Sequence, residues 1–534
     1  MKTLVCLILI FITESSLGMV VSALPLSEFA DTEVSTNFPF AGTRNHVKLE
    51  NIAEKKWYNT DMQITTREFL KRLGLGGAGL MGGAAFADEW VNTAKTLPPG
   101  SVGDPDNVWF GQRIFPLPHT IEDGPSAYLK DGKVFRPARE VPIFHETDVV
   151  VVGGGPAGFA AAISAARTGA RTALVERAGS LGGLFTNGMV LIMLATSRRD
   201  GGKYTLVTRG ICEEFMLRAR QLGSHASTGA VPETRHWQPT VDPEAAKYLM
   251  DTMIAEAGVE MFFHAYGVDV IQDGDSVKGV VFESKQGQQA ILAKEVVDCT
   301  GDGDVYFQAG AGYRQISHGI GFVTRLGNID RVTAKTRPTG ADGKPLPGAW
   351  PTRSNEPNPS TWWGGELGPK GDGLSVRDLT KAEIEHRKRW WKHVEKMRGT
   401  PGWEETFIAN TCSQIGPRAT RLLDSETILD RAAARKGFDP AQTIGWFGAD
   451  GPRHNAMPVP LGVIIPKKVD HVLAAGRCIG APDTIDTFRL ICPCFVTGQA
   501  AGTLAALAAA SGKAPREVPV QTLRKSLSDA GAYV

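Results

Sequence analysis

The chain of 534 residues is longer than one ordinary hydrophobic core supports, so we expect two or more structural units. Its hydrophobic content of 42% and charged content of 22% are typical of a soluble globular protein. A formal net charge of +1, with no long lysine or arginine run, argues against a nucleic-acid partner.

The first 87 residues have the layout of an export signal and contain two candidate starts. An apolar run over residues 4–12 is followed by a small-residue cleavage site at residues 21–23. A second basic, apolar and A-x-A sequence begins at Met62, and from Thr66 it resembles a twin-arginine signal with one arginine missing. We therefore expect Met62 to be the true start and the mature protein to be periplasmic or extracellular.

The next segments predict an irregular extension followed by a βαβ unit. Residues 88–146 are rich in Pro, Gly and Asp and are expected to be irregular. From Thr147 a buried strand, glycines, a small-residue helix and a second strand follow in order. Residues 207–222 and 243–257 are predicted helices, and residues 261–298 are predicted strands with a hairpin turn at Asp273-Gly274.

The carboxy-terminal half is predicted to contain a long loop, two helices and a strand. Residues 335–375 are rich in Pro, Gly and Asn and are expected to form a loop. Thr380 and Glu383 have the spacing of a capping box before a charged helix that ends near residue 398. A strand at 469–475 precedes an alanine-rich helix over about residues 498–510. No later segment has eighteen uninterrupted apolar residues, so we expect no stable membrane insertion.

The turn of the βαβ unit carries the glycine pattern GxGxxG at Gly153, Gly155 and Gly158. The first glycine permits a tight turn, the second lets backbone approach a pyrophosphate, and the third lets the helix pack closely on its strand. The positive end of that helix points at the phosphates. Glu176 ends the second strand, where an acid is expected to meet a ribose hydroxyl. These features together predict a bound dinucleotide.

A second GxGxxG, at Gly74, Gly76 and Gly79, provides an internal control. No strand pattern precedes it and no acid-ended strand follows, so we assign it to the apolar part of the signal region. One valid fingerprint remains, and stable binding of NAD(P)H beside a first dinucleotide is not expected. Oxygen, a quinone, a cytochrome and a small molecule all remain open as the electron acceptor.

Four segments resemble, in order, the signatures of the FAD-dependent oxidoreductase family, a large bacterial family distantly related to fumarate reductase and glutathione reductase flavoproteins. After Glu176 the sequence RAGSLGG resembles the extension that wraps FAD. Residues 297–304 resemble a strand that ends in T-G-D, and residues 472–477 resemble the strand that delivers the chain to the flavin. Residues 497–502 resemble the start of a helix that faces the flavin pyrimidine.

The resemblance implies FAD as the cofactor, bound non-covalently, because no match to the covalent-attachment histidine motif of fumarate reductase relatives is found. Residues 414–421 and 458–466 are also family-like, but Pro417, Ala419 and Leu422 stand near where the family carries an acid and a further arginine. The implied cofactor-binding residues are Gly153, Gly155, Pro156, Ala157, Gly158, Glu176, Arg177, Gly182, Gly183, Val268, Thr300, Gly301, Asp302, Gly476, Arg477, Gly498, Gln499 and Ala500.

Candidate substrate residues come from two segments. Asp450 and His454 lie in a Gly/Pro-flanked loop before the third FAD segment, where a histidine can take a hydroxyl proton during hydride transfer; a surface loop is the alternative. Arg418 and Arg421 can hold an anionic or polyhydroxylated substrate, and a structural salt bridge to Asp424 or Glu426 is the alternative. No metal ligand set is predicted.

Three further features leave two interpretations each. Seven of the eleven tryptophans lie between residues 350 and 446, where they serve either as sugar-binding faces or as packing anchors, as for Trp390 and Trp391. Cys492 and Cys494, the only close pair among seven cysteines, form either a redox-active or ligating motif or two packed thiols. Residues 183, 186 and 187 follow the FAD wrap and line either the flavin cavity or the core.

The predicted fold is α/β: a discontinuous, glutathione-reductase-like Rossmann-type FAD domain with an inserted α+β substrate or cap domain. The FAD domain is assigned to residues 147–190, 246–312 and 460–512, the cap to 191–245 and 313–459, and a C-terminal helix or tail to 513–534. The predicted reaction is hydride removal from a C–H bond of a small polar substrate, a carbohydrate or a hydroxy acid. The alternatives are a flavoprotein of nucleic-acid modification and a non-catalytic protein with structural FAD.

Overall fold

The computed structural model describes residues 127–200, 203–228, 237–333, 356–430, 438–448 and 456–534, and before them the backbone of four short strands. The chain separates into two compact units, residues 1–137 and 138–534. The first unit contains antiparallel hairpins that pair β1 (Cys6–Thr13) with β2 (Ser16–Ala23), β3 (Val108–Trp109) with β4 (Gln112–Arg113), and β5 (Tyr128–Lys130) with β6 (Lys133–Phe135). Apart from β1 and β2, the predicted signal region lies outside the described residues.

The second unit is built on a seven-stranded sheet. Its strands are β7 (Ile143–Val152), β8 (Thr172–Val175), β11 (Glu260–Phe262), β12 (Tyr266–Asp273), β13 (Ser276–Ser284), β14 (Gly287–Asp298) and β23 (Val472–Ala474). Neighbouring strands follow the order β11-β8-β7-β14-β13-β12, and β23 also pairs with the end of β14. Strands β7, β8, β11, β14 and β23 are parallel. Their carboxyl ends therefore lie at one edge of the sheet, where ligands bind in doubly wound folds.

The helices of this unit lie between groups of strands and after the last strand. They are α1 (Pro156–Arg167), α2 (Ile211–Gln221), α3 (Pro243–Glu256), α4 (Asp304–Gln308), α5 (Val376–Arg398), α6 (Ile485–Phe488), α7 (Ile491–Ser511) and α8 (Val520–Asp529). Short 3-10 helices lie at Ile329–Arg331, Pro440–Gln442, Leu461–Val463 and Pro515–Glu517. The predicted α/β fold is confirmed: the sheet is mainly parallel, and helix α1 directly follows β7, its first strand in the chain.

Helix α7 packs on α1 through small residues. A Cβ placed on Gly498 would lie 2.0 Å from the carbonyl oxygen of Ala157, and one on Gly502 would lie 2.0 Å from that of Ala161. Glycine at both positions lets the two backbones approach more closely than any larger residue allows. Helix α7 is long and apolar enough to cross a membrane, but it is a buried core helix of this unit.

A second, smaller sheet carries its own core. Strand β16 (His318–Gly327) pairs antiparallel with β17 (Thr361–Gly371), β18 (Phe407–Thr411) and β19 (Gly416–Pro417). Helix α5 packs on this sheet, and the buried rings of Trp362, Trp390 and Trp403 fill the space between them. The remaining strands form short pairs: β9 (Ser197–Asp200) with β10 (Lys203–Leu206), β15 (Tyr313–Gln315) with β20 (Arg421–Leu423), and β21 (Thr443–Phe447) with β22 (Met457–Pro460).

Several local predictions are confirmed and several are wrong. The helices predicted at 207–222 and 243–257 are present as α2 and α3, and Gly274 turns the hairpin between β12 and β13 with φ +59. The extension predicted as irregular up to residue 146 instead joins β7 from Ile143, because that segment pairs with β14. Part of the loop predicted over 335–375 is the strand β17, whose backbone groups are satisfied by β16.

Both predicted helix starts in the carboxy-terminal half are also wrong. Helix α5 begins after Ser375, whose hydroxyl oxygen accepts the N–H of Asp378, while Thr380 lies inside the helix and donates to Val376 O. Helix α7 begins at Ile491, so the predicted start near residue 498 lies two turns inside it.

Candidate functional site

The glycine loop between β7 and α1 forms a backbone cradle in which two glycines have no room for a side chain. Gly153 has φ +99, and a Cβ there would lie 2.5 Å from the carbonyl oxygen of Cys299. A Cβ on Gly158 would lie 1.7 Å from the carbonyl oxygen of Gly153. Both contacts are tighter than any real Cβ tolerates, so this turn requires glycine at its first and last positions.

The middle glycine serves a different purpose. A Cβ built on Gly155 would meet nothing within 4 Å, so the space above it is open. Gly155 is also the N-cap of α1, Pro156 follows at the first helical position, and no side chain caps the helix. An uncapped helix start beside open space fits a phosphate group, as the glycine pattern predicts.

Glu176 lies at the end of β8 and holds the glycine loop in place. Its carboxylate accepts the backbone N–H of Gly154 at 2.6 Å and that of Ala178 at 2.7 Å. Each carboxylate oxygen keeps a lone pair for a further donor, such as a ribose hydroxyl. The chain then folds back over the loop, where Gly182 donates to Gly154 O at 2.8 Å.

The T-G-D segment after β14 is organised by a buried carboxylate that the sequence analysis did not select. Asp298 accepts hydrogen bonds from the N–H and hydroxyl of Thr300 and from the N–H groups of Val305 and Tyr306. Burial raises the pKa of Asp298 to about 6, although these donors favour the ionised form. Its position at a strand end, two residues before the threonine of T-G-D, is the signal that could have identified it.

Arg477 and Asp302 join the second and third predicted FAD segments. Nη2 of Arg477 lies 2.7 Å from Oδ1 of Asp302, and the hydroxyl of Thr420 donates to the same oxygen at 2.6 Å. A Cβ on Gly301 would lie 2.7 Å from Nε of Arg477, so the guanidinium lies directly beside the T-G-D turn. Nη1 of Arg477 is buried and has no hydrogen-bond partner among the described residues.

A second buried donor without a partner lies beside the RAGSLGG segment, which is predicted to wrap FAD. Oδ1 of Asn187 accepts from Ser180 at 2.9 Å, but Nδ2 of Asn187 has no partner in the described part of the chain. A buried N–H group without an acceptor costs about 1–3 kcal/mol, so such groups normally meet a ligand or water. An open glycine cradle with unpaired N–H donors close by fits the acceptor-rich pyrophosphate and flavin carbonyls of FAD.

Comparison with known proteins identifies the family. The family model described as FAD dependent oxidoreductase matches residues 148–527, more than two thirds of the chain. The chain belongs to this family. The matched residues include the glycine cradle, Asp298, Arg477 and α7, and the cofactor of this flavoenzyme is FAD.

The similarities to individual curated proteins cover only short segments of the chain. Dihydrolipoyl dehydrogenase of Trypanosoma brucei brucei is 61% identical over 46 residues, which are 9% of this chain and 10% of that protein. Leghemoglobin reductase of Glycine max is 55% identical over 42 residues, 8% of each chain. The chain thus spans about a tenth of the length of these relatives.

Solved structures resemble the chain over a larger share but only weakly. A geranylgeranyl bacteriochlorophyll reductase-like protein from Thermoplasma acidophilum is 14% identical, with a TM-score of 0.38, covering 73% of this chain and 84% of that one. A flavin-dependent brominase is 14% identical, with a TM-score of 0.37, covering 71% and 83%. These scores are too low to bear on the activity of this flavoenzyme.

Arg421, predicted to bind substrate or to pair with Asp424 or Glu426, contacts the T-G-D segment and the start of α4. Its Nη1 donates to Asp304 Oδ1 at 2.8 Å and to the carbonyl oxygen of Asp302 at 3.0 Å. Its guanidinium lies 4.1 Å from the ring centroid of Phe307. The ion-pair partner of Arg421 is therefore Asp304, not Asp424 or Glu426. These contacts fix Arg421 beside the T-G-D segment.

Arg418 lies in a different setting, with no hydrogen bond or ion pair to any described residue. Arg418 is half-buried. Its burial, and to a smaller extent the positive charge of Arg489, lower the pKa of its guanidinium. Close to it, Asp486 Oδ1 lies 3.2 Å from Nε2 of His318 and accepts from Nε and Nη2 of Arg489 at 3.3 and 3.2 Å. We call His318, Arg418, Asp486 and Arg489 the Arg418 cluster.

Contacts on either side place the Arg418 cluster next to three FAD segments. A Cβ on Gly416 would lie 3.6 Å from Leu184, which follows the wrap glycines, and Thr420 is bonded to Asp302. The thiol of Cys494 donates to Arg489 O at 3.5 Å, and a Cβ on Gly476 would lie 3.8 Å from that sulfur. Sequence reasoning missed His318, Asp486 and Arg489, because no spacing links positions so far apart in the chain.

The other predicted residues have mixed outcomes. Gly498 and Ala500 are buried in the helix-packing surface of α7, and Gln499 accepts the N–H of Ile211 at 3.0 Å while its Nε2 has no hydrogen-bond partner among the described residues. Val268 stands at a register shift of β12, and Arg177 lies exposed over the ring of Tyr266. Asp450 and His454 lie outside the described residues.

The cysteine pair is packed in the core. Cys492 and Cys494 are buried and form no disulfide. Burial raises the pKa of the Cys494 thiol to about 12, so it remains protonated at physiological pH and is a poor nucleophile. Within the described residues no group of three or more metal-ligating side chains is found.

Proposed function

We propose that this flavoenzyme removes a hydride from a C–H bond of a small polar substrate, a carbohydrate or a hydroxy acid, and passes the electrons to a separate acceptor. FAD supplies the redox chemistry when bound, by accepting the hydride on its flavin ring. The observation that carries the proposal is the Arg418 cluster, a set of charged side chains flanked by three FAD segments. Such convergent polar groups beside a cofactor are typical of a substrate site.

The protein's contribution is orientation and control of charge. Arg418 offers five N–H donors that no described residue uses, so it can bind and orient a polar substrate. Glu176, Asp298 and Arg477 hold the loops of the cofactor cradle in place without taking part in the reaction. His454 remains our predicted acceptor of the substrate hydroxyl proton.

Export to the periplasm or beyond is part of the same proposal, and it rests on the sequence of residues 1–87. An exported enzyme meets sugars and small organic acids directly. Its electron acceptor would then be oxygen, a quinone or a cytochrome within reach of the same compartment.

The test is anaerobic reduction of the purified holoenzyme by a panel of sugars and hydroxy acids, followed through the flavin absorbance near 450 nm. We expect one class of compound to bleach the flavin within a catalytic timescale, and air or an artificial acceptor to restore the colour. Bleaching by dithionite but by no member of the panel would contradict the proposed substrate class. It would favour a structural flavin.

A further inference from the structure

The charges of the Arg418 cluster do not balance. The cluster holds two guanidinium groups and one carboxylate, Asp486, and both Arg489 and His318 contact the same oxygen of that carboxylate. Nδ1 of His318 accepts the N–H of Gly319 at 2.7 Å, so Nε2 carries the ring hydrogen and donates it to Asp486. With two guanidinium groups set against one carboxylate, one positive charge remains on Arg418.

This leftover charge lies in an unfavourable place. Arg418 is half-buried and forms no hydrogen bond or ion pair with a described residue; the like charge of Arg489 acts on it, and the carboxylate that attracts it, Asp486, is already bonded to Arg489 and His318. A desolvated charge without a counter-ion is costly, and natural sites retain one when a ligand supplies the opposite charge. A sugar hydroxyl can accept hydrogen bonds from the guanidinium but leaves its charge uncompensated. A carboxylate accepts two parallel hydrogen bonds, the geometry that arginine favours, and also neutralises the charge.

We propose that Arg418 binds a carboxylate group of the substrate, and that the substrate is therefore a small hydroxy acid rather than a neutral sugar. The inference rests on the proposed function, since it chooses between the two substrate classes named there. Arg489 and Asp486 act as positioning residues: Asp486 neutralises Arg489 and so leaves Arg418 as the group that takes the anion. A single carboxylate matches the single unbalanced charge.

Binding can be tested without turnover, so the outcome is independent of whether the right substrate for oxidation is in hand. The oxidised holoenzyme is titrated with glycolate, lactate and gluconate, and with their uncharged counterparts ethylene glycol, 1,2-propanediol and glucose, while the flavin spectrum is followed. We expect the acids to perturb the spectrum at concentrations at least tenfold lower than the neutral compounds. Equal affinity for both series would overturn the inference.

Variants then assign the effect to Arg418. Arg418→Gln is expected to weaken carboxylate binding by about 10- to 100-fold, from the loss of hydrogen bonds to a charged group, and to leave neutral compounds unaffected. Arg377→Gln, at an exposed position on α5, is the matched control and should change neither. An Arg418→Gln enzyme that binds the acids normally, or that purifies without flavin, would contradict a substrate role.

A second variant gives the opposite change. Asp486→Asn removes the only carboxylate of the cluster, so the net charge rises and carboxylates should bind several-fold more tightly. A merely structural role for these residues predicts weaker binding or no change, which would overturn the inference. Because Asp486 is largely exposed, with 67% of its side chain accessible, this variant is expected to fold even if Arg418→Gln does not.

Discussion

At the residue scale, an added methyl group is expected to have different effects at two glycines of the cradle. Gly158→Ala places a Cβ against the carbonyl oxygen of Gly153, so we expect a protein that is destabilised and purifies without flavin. Gly155→Ala has open space for its methyl group and a φ of −66, which alanine adopts freely. We expect this apoprotein to melt like the wild type but to bind FAD at least tenfold more weakly. Thermal melts and FAD titrations check both; normal FAD affinity in Gly155→Ala would contradict a phosphate above that position.

The unpaired N–H of Arg477 gives a second prediction at this scale. Arg477→Gln removes a guanidinium that is bonded to Asp302 through Nη2 and has no described partner at Nη1. We expect FAD affinity to fall by about 10- to 100-fold, the size of a lost hydrogen bond to a charged group, and riboflavin affinity to be unchanged. Fluorescence titrations with the two flavins measure the difference. Equal losses for both would place Arg477 away from the phosphates.

At the element scale, the contact between α7 and α1 depends on backbone proximity. Gly502→Ala would force the helices apart, because its Cβ would meet the carbonyl oxygen of Ala161 at 2.0 Å. We expect a loss of about 1–3 kcal/mol in the free energy of unfolding, the usual cost of overpacking. Ser511→Ala at the exposed end of the same helix is the control, with an expected change within about 0.5 kcal/mol. Urea unfolding curves with equal stability for both variants would contradict the proposed packing.

Two adjacent tryptophans on α5 separate packing from surface roles. Trp390 is fully buried in the second core, whereas Trp391 is 62% exposed. We expect Trp390→Ala to lower the free energy of unfolding by about 3–5 kcal/mol and Trp391→Ala to change it by less than about 1 kcal/mol. Chemical denaturation of both variants checks this. Similar losses for the pair would mean that Trp391 is also a packing residue.

The elements show which parts of the structure could be read from the sequence. The βαβ unit, the glycine roles, α2, α3 and the Asp273-Gly274 turn depend on neighbouring residues, and all were predicted. Strand β17 and the early start of β7 depend on pairing with distant strands, and Pro, Gly and Asn content alone pointed to loops. For the same reason only Arg418 of its cluster was predicted. Arg418 lies in a family-like segment, whereas the other members come from β16 and from α6 and its end.

At the scale of the whole molecule, a buried glutamate and its partly buried histidine partner make stability depend on pH. Oε1 of Glu295, in β14, lies 2.7 Å from Nδ1 of His471, which precedes β23. Burial raises the pKa of Glu295 to about 7, and the hydrogen bond to Glu295 raises the pKa of His471. Both folded-state values exceed the unfolded ones, so the folded protein holds more protons and loses stability as pH rises through the window from about 4.5 to above 7.

Wild-type protein is therefore expected to lose on the order of 1–3 kcal/mol of unfolding free energy from this pair between pH 5 and pH 8. Glu295→Gln cannot ionise, so its stability should fall less over the same range, while Glu244→Gln at an exposed position should follow the wild type. Denaturation at several pH values gives the answer. A wild type that becomes more stable toward pH 8 relative to Glu295→Gln would show that the sign is wrong.

The measurement that most directly tests the central claim is the flavin content of the purified full chain. We expect absorbance bands near 370 and 450 nm, typical of oxidised flavin, and release of about one equivalent of FAD when the protein is heat-denatured, since the cofactor is held without a covalent bond. A chain that carries no flavin, and that leaves the absorbance and fluorescence of added FAD unchanged, would contradict the assignment of the glycine cradle and Arg477 to FAD.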